Sequence, residues 1–398
     1  MAQPQPALVP AAERRRVLVA GWRGVSHSFA MVNQHQLLAL QRTGLVELHH
    51  RDLPFFLPHW NARDTGAGFD DADAAFISGL PPLEPALADV VYTICSPLPA
   101  PERRARRTVS FAVTEFGMSE RSFADAAVPL SAYTAPGNLV VTPSRWSRDR
   151  LIDCGFDETC VRVVRHGVDP LACAPLPDAQ RALNRRTLGF ADDAVIFLNV
   201  GLPSWNKGID LLVAAFATVH RQCPQARLVL KDAQKLYGVS AEQVLKDLAA
   251  RQTGLLTAEA LASISIIGGN LSQAELRLLF GLADRYVSPY RAEGFNLPVL
   301  EALSCGTPVI VSSGGATDDF CQGYAVAKIP SVFRRGSLPD QPAACLVEPH
   351  APSLQELMLD AARAGPLHAA AHPLRLAARA ATQGWSWDDA ARELLALL

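Results

Sequence analysis

Although 49% of this 398-residue chain is apolar, it lacks any long uninterrupted hydrophobic run, and a bilayer-crossing helix needs about 20 apolar residues in succession. An excess of charge of one sign is also missing. Lys and Arg total 37 against 39 for Asp and Glu, a net charge of -2, which argues against a nucleic-acid-binding protein. The eight cysteines, at positions 95, 154, 160, 173, 223, 305, 321 and 345, include no Cys-x-x-Cys pair. Neither a zinc site nor a disulfide framework is indicated, and a reducing cytoplasm fits best. No Gly-x-Gly-x-x-Gly follows any expected strand, which sets aside a nicotinamide-dependent dehydrogenase. Near the amino end, Arg14 to Arg16 precede only the short apolar run Val17 to Gly21, too short for a secretory signal core. Residues 1–13 read as a loose tail.

What is present is alternation of strand and helix signals, the pattern of paired doubly wound α/β domains. Strands are expected at 17–21, 46–50, 90–94, 108–114, 139–142 and 161–164 in a first half. A second half repeats the alternation with strands at 194–200, 227–230, 263–267, 286–289 and 309–311. The acidic stretch from Pro54 to Pro85 reads as irregular, and Asp71-Ala72-Asp73 within it resembles a metal-binding Asp-x-Asp only superficially. Arg103, Arg104, Arg106 and Arg107 read as a solvated connection, with a weak contact to a membrane surface or an anionic acceptor as the second reading. A Pro/Ala-rich linker, 170–178, separates the halves.

The most informative stretch is Glu293-Gly294-Phe295-Asn296-Leu297-Pro298-Val299-Leu300-Glu301, followed by Gly306-Thr307-Pro308 and the β-branched run Val309-Ile310-Val311. Pro298 has the φ favoured at a helix start, Asn296 is placed to cap it, and Gly306 with Pro308 ends it. A loop, a two-turn helix and a buried strand are expected. The first amides of such a helix carry the positive end of its dipole and suit a phosphate. Gly294 lets a ligand approach the backbone, and Glu301, one turn inside, suits a pair of ribose hydroxyls.

This Glu-x7-Glu string resembles the signature of retaining GT-B glycosyltransferases, in the family that includes sucrose synthases and bacterial lipopolysaccharide and exopolysaccharide transferases. The resemblance implies an α/β GT-B fold: two Rossmann-like domains facing each other across a cleft, with a terminal helix crossing back to the first. The divisions expected are 14–172 for the acceptor side, 173–380 for the donor side and 381–398 for the helix. Glu293 then sits at the reacting centre, Gly294, Phe295, Asn296 and Leu297 hold the donor sugar and diphosphate, and Glu301 binds the ribose. Lys207, before Gly208, matches a diphosphate-binding lysine, whereas Leu202 stands where the family carries an arginine. Lys207 alone, helix amides, Arg145 or Arg291 are the candidates to meet that charge. Asn270 and Leu271 fall in the loop that contacts the base. On the acceptor side, Gly24 and His27 follow the first strand, with His27 either a ligand or a satisfied loop histidine. Glu115 is a further acid, or the cap of a helix near 119.

The activity implied is transfer of a sugar from a nucleotide-sugar donor, UDP- or GDP-linked, to a hydroxyl acceptor. Configuration is retained by front-face attack, and neither a metal nor another cofactor is required. A phosphorylase of the same fold and a catalytically weak nucleotide-binding member are the alternatives. The location implied is cytoplasmic, at the inner face of the membrane if the association is peripheral.

Overall fold

The computed structural model describes residues 14–61, 68–251, 254–336 and 343–398. The expected loose tail at 1–13 lies outside the described residues. No helix among those described is long and apolar enough to cross a membrane. The chain divides into two compact units, one running to Gly167 and resuming at Trp385–Leu398, the other spanning Val168–Gly384.

In the first unit six parallel strands lie in the order β2-β1-β3-β4-β5-β6. They are β1 Arg15–Gly21, β2 Val46–Asp52, β3 Val90–Ile94, β4 Thr108–Phe111, β5 Leu139–Thr142 and β6 Val161–Val163. The centre of this sheet is buried on both faces, which is why β1 and β3 read as nearly continuous apolar runs; β4, Thr-Val-Ser-Phe, is buried too but alternates. Helix Ser28–Thr43 returns the chain from β1 to β2 and stops at Gly44, whose φ of 66° an L side chain rarely adopts.

Part of the stretch read as irregular is ordered. Asp71–Gly79 is helical, not irregular, and the Asp70 carboxylate caps it by accepting from Asp73 N at 2.9 Å. Asp71 and Asp73 occupy its first turn, where negative charge is favoured by the helix dipole. The acids that read as loop are helix-start residues.

The chain's last helix, Trp387–Leu395, belongs to the first unit. Ser386 and Asp389 close its amino end as a capping box. Trp387 stacks on His35 of helix Ser28–Thr43 at 4.9 Å between ring centres, and Ala390, Ala391 and Leu394 are buried. The Arg42–Asp388 pair, at 2.6 Å, has both side chains more than half exposed. Exposed pairs contribute about 0–1 kcal/mol, against about 1.5–3 kcal/mol for each large apolar side chain buried, so apolar packing holds this helix in place.

In the second unit the order is β12-β11-β10-β7-β8-β9, again parallel. These strands are β7 Val195–Val200, β8 Ala226–Lys231, β9 Ile264–Ile267, β10 Arg285–Ser288, β11 Val309–Ser312 and β12 Val326–Ile329. A two-stranded antiparallel ribbon, β13 Ser331–Arg335 with β14 Cys345–Pro349, follows. Phe197, Leu228 and Val287 from the sheet pack with Leu212 and Phe216 from helix Ile209–Gln222 and with Leu354 and Met358 from Ala351–Ala364. At the amino end of β10, buried Asp284 accepts from Arg181 at 2.7 Å, Arg185 at 3.0 Å and Ile196 N at 2.8 Å. β7 lies between β8 and β10, so the chain leaves it to one side first and returns on the other. Such a reversal opens a crevice at the carboxyl ends of the strands.

Candidate active site

Two loops leave the sheet at this reversal, 201–208 after β7 and 289–296 after β10. Arg291 N and Ala292 N both donate to Asn206 O, at 2.7 and 3.2 Å. Gly208 sits at φ 72°, and a Cβ built on it would lie 1.9 Å from Pro289 O. Only glycine permits this approach, so Gly208 is what lets Lys207 come close to the second loop.

Lys207 and Glu293 meet there, with Nζ and Oε2 2.5 Å apart. The glutamate is buried and the lysine a quarter exposed. The structure thus joins two of the three residues expected to be catalytic into one ion pair. The third, Glu115, belongs to the first unit, where its carbonyl accepts from Trp146 Nε1 at 2.8 Å. The turn Glu120–Ser122 is closed by Ser119 and Ser122, not capped by Glu115.

Helix Leu297–Ser304 begins as expected, but its entry differs. Asn296 has φ 78° and makes no side-chain cap. Instead its Nδ2 donates to Ser288 Oγ at 3.0 Å. The left-handed backbone that swings the loop into the helix is tolerated by asparagine better than by most residues, and the side chain then braces β10. The helix start is consequently uncapped by Asn296, which leaves its positive end directed at the loop. Phe295 is buried and stacks on Phe320 at 4.9 Å. Any contact it offers a donor is through its backbone. Beneath the loop, Ser312 Oγ donates to Tyr290 O at 2.7 Å and Tyr290 pairs with Thr317 at 2.8 Å.

Glu301 lies one turn inside this helix, and burial raises its pKa from 4.5 to about 7. A carboxylate so placed is short of hydrogen-bond donors, and two vicinal hydroxyls are a fitting supply.

Arg291, a candidate for the missing cation, is committed elsewhere. It takes both oxygens of Asp210 at 2.8 and 2.9 Å, reaches Glu348 at 3.0 Å and Trp205 O at 2.8 Å, and lies 4.5 Å over the Trp205 ring. Burial lowers its pKa, but the Asp210 and Glu348 carboxylates outweigh that and hold it raised. This group clamps the two loops together. Arg291→Ala is expected to destabilise the protein by about 3–5 kcal/mol, as removal of one member of a buried charge pair does, and urea unfolding measures it. Arg145 belongs to the first unit.

Asn270 and Leu271 follow β9, in the turn that ends where Ser272 caps helix Gln273–Leu282. They lie at the same sheet edge, with β8 between their strand and β7. Gly24 and His27 follow β1. Gly24, at φ 79°, donates its N–H to Gln34 Oε1 at 3.0 Å. His27 caps helix Ser28–Thr43 by accepting from Phe29 N at 3.2 Å, packs on Trp22 and Trp60, and is held near pKa 4 by burial. It is neutral at physiological pH and satisfies a helix end. Asp210 and Trp205 were not legible beforehand, because nothing local distinguishes them from an ordinary first-turn acid and a loop aromatic.

Residues 180–325 match the family described as Glycosyl transferases group 1. The chain is 28% identical over 179 residues to mannosylfructose-phosphate synthase of Agrobacterium fabrum, covering 45% of this chain and 38% of that one. It is 30% identical over 253 residues to D-inositol 3-phosphate glycosyltransferase of Kineococcus radiotolerans, covering 62% and 54%. The chain thus spans about half or less of the length of these curated relatives. Its fold resembles a glycosyltransferase from Rickettsia africae, with TM-score 0.65, 14% identity and coverage of 96% and 97%. It also resembles sucrose-phosphate synthase from Thermosynechococcus elongatus, with TM-score 0.62, 16% identity and coverage of 96% and 98%. The Glycosyl transferases group 1 match thus falls on the second sheet, and the chain shares the GT-B fold of these solved glycosyltransferases along nearly its whole length.

Proposed function

We propose that the protein moves a sugar from a nucleoside diphosphate donor, UDP- or GDP-linked, to a hydroxyl acceptor, with retention of anomeric configuration and without a metal ion. The observation that carries this reading is the Lys207–Glu293 pair at the mouth of helix Leu297–Ser304, one helical turn from Glu301.

The chemistry follows from those three groups. The donor diphosphate enters against the helix start and draws Lys207 away from Glu293, since a phosphate offers the ammonium more negative charge than one carboxylate. Glu301 accepts the ribose hydroxyls. Glu293, released from its lysine, accepts from the sugar and positions the anomeric carbon. The bond from that carbon to the phosphate oxygen breaks, the acceptor oxygen bonds to it on the same face, and the acceptor proton passes to the departing phosphate. Lys207 and the helix amides stabilise the charge that develops on the leaving diphosphate.

The test is a melting-temperature screen with UDP, GDP, ADP and their sugars, followed by transfer assays in which NMR reads the anomeric configuration of the product. A rise with at least one diphosphate and a retained anomer are expected. Inversion ends the retaining reading, and loss of turnover on chelation ends the metal-free one.

A further inference from the structure

We propose that Lys231 is a second cation for the donor diphosphate, acting beside Lys207; the inference rests on the donor reading above. β8 lies directly against β7, and the two pair to their last residues, Val200 opposite Lys231. Gly201 N then donates to Lys231 O at 2.9 Å, so Lys231 ends its strand where the 201–208 loop leaves the sheet.

The side chain is buried, at 9% exposure. Its ammonium donates to the carbonyl of Asp232, and among the described residues no carboxylate lies within ion-pair distance of it. The Asp232 carboxylate is turned to other work, accepting from Ala241 N at 3.0 Å and Gln234 N at 3.3 Å. Other buried cations of this unit are better satisfied. Arg181 and Arg185 share Asp284, Arg291 holds Asp210 and Glu348, and Arg375 donates to three carbonyls, those of Gly281, Ala283 and Gly306. Burial depresses the Lys231 pKa, and the more distant charge of Asp232 only partly offsets this. An ammonium desolvated with so little in return is costly to keep. The same desolvation makes it act strongly on an arriving anion.

A diphosphate needs that charge. Lys207 is already neutralised by Glu293, Arg291 is neutralised by two acids, and Leu202 supplies none. Lys231 stands at the same sheet edge on a flexible stem, with a single hydrogen bond to exchange for a phosphate oxygen.

Calorimetric titration of the full chain with UDP and GDP, and separately with uridine and guanosine, tests this in Lys231→Met, Lys231→Gln and Lys231→Arg. The Met and Gln variants are expected to lose roughly 10- to 100-fold in diphosphate affinity and nothing in nucleoside affinity, with Arg restoring most of the loss. Their ligand-free melting temperatures are expected to equal or exceed that of the wild type, because an uncompensated buried charge has gone. Undiminished diphosphate binding in both neutral variants overturns the proposal, and so does an equal loss for nucleoside and diphosphate. Failure of both neutral variants to fold makes the lysine structural and overturns it too. Wild-type protein that binds neither UDP nor GDP overturns the donor reading itself, a result distinct from any of these.

Discussion

Glu293→Gln is expected to lower glycosyl transfer by roughly 10²- to 10³-fold, the range seen when one preorganised group at a reacting centre is removed. The same substitution should strengthen binding of the free nucleoside diphosphate. In the unliganded protein Lys207 is held by the Glu293 carboxylate at 2.5 Å, and a diphosphate must compete with it. A glutamine carries no charge to compete with, so the lysine is available from the start. Stability moves the other way: a partly buried ammonium without its carboxylate costs free energy, and the variant should melt lower without ligand and recover with it. Steady-state kinetics, titration calorimetry and melting curves read the three effects. Wild-type turnover in the variant removes Glu293 from the reacting centre. Weaker diphosphate binding refutes the exchange of partners by Lys207.

Glu301→Gln should cost on the order of 100-fold in nucleoside diphosphate affinity, as loss of two charge-assisted hydrogen bonds to a ribose would. The raised pKa gives this assignment a pH signature. Burial favours the neutral acid in the folded protein, with a pKa of about 7 against the ordinary 4.5. The stabilisation that proton confers is therefore fully present below about 4.5 and is lost as pH rises through about 7. About 3 kcal/mol is at stake, and glutamine, which mimics the neutral acid, should recover it at pH 8 while changing little at pH 4.5. Ribose hydroxyls bond the ionised form, so wild-type affinity should climb as pH rises through 7 and then level off. In the glutamine variant the weak affinity should be flat across that range. A wild-type profile without the climb, or a variant that binds as the wild type does, removes Glu301 from the ribose site.

Most of the fold was legible because its signals are local. Strands β1, β3, β7 and β11 are short, mostly apolar runs, and Gly306, at φ 75°, ends helix Leu297–Ser304 where it is read to. The same locality explains the misreadings. Asp70 to Asp73 look like polar loop until the carboxylate of Asp70 is seen to close a helix start, and Asn296 looks like a cap until its backbone proves left-handed and its amide turns to Ser288.

The sequence by itself determined the two α/β halves, the helix that carries Glu301, and the presence of Lys207 and Glu293 each beside a glycine, because periodicity, caps and breakers act over a few residues. Only the tertiary structure decided which charges meet. Lys207 and Glu293 are 86 residues apart in the chain. Arg291 is claimed by Asp210 and Glu348, Glu301 is pushed toward neutrality, and Lys231 is stranded at a strand end. Coulomb attraction and desolvation depend on distance and burial in space, and parallel strands bring those residues together from far apart in sequence.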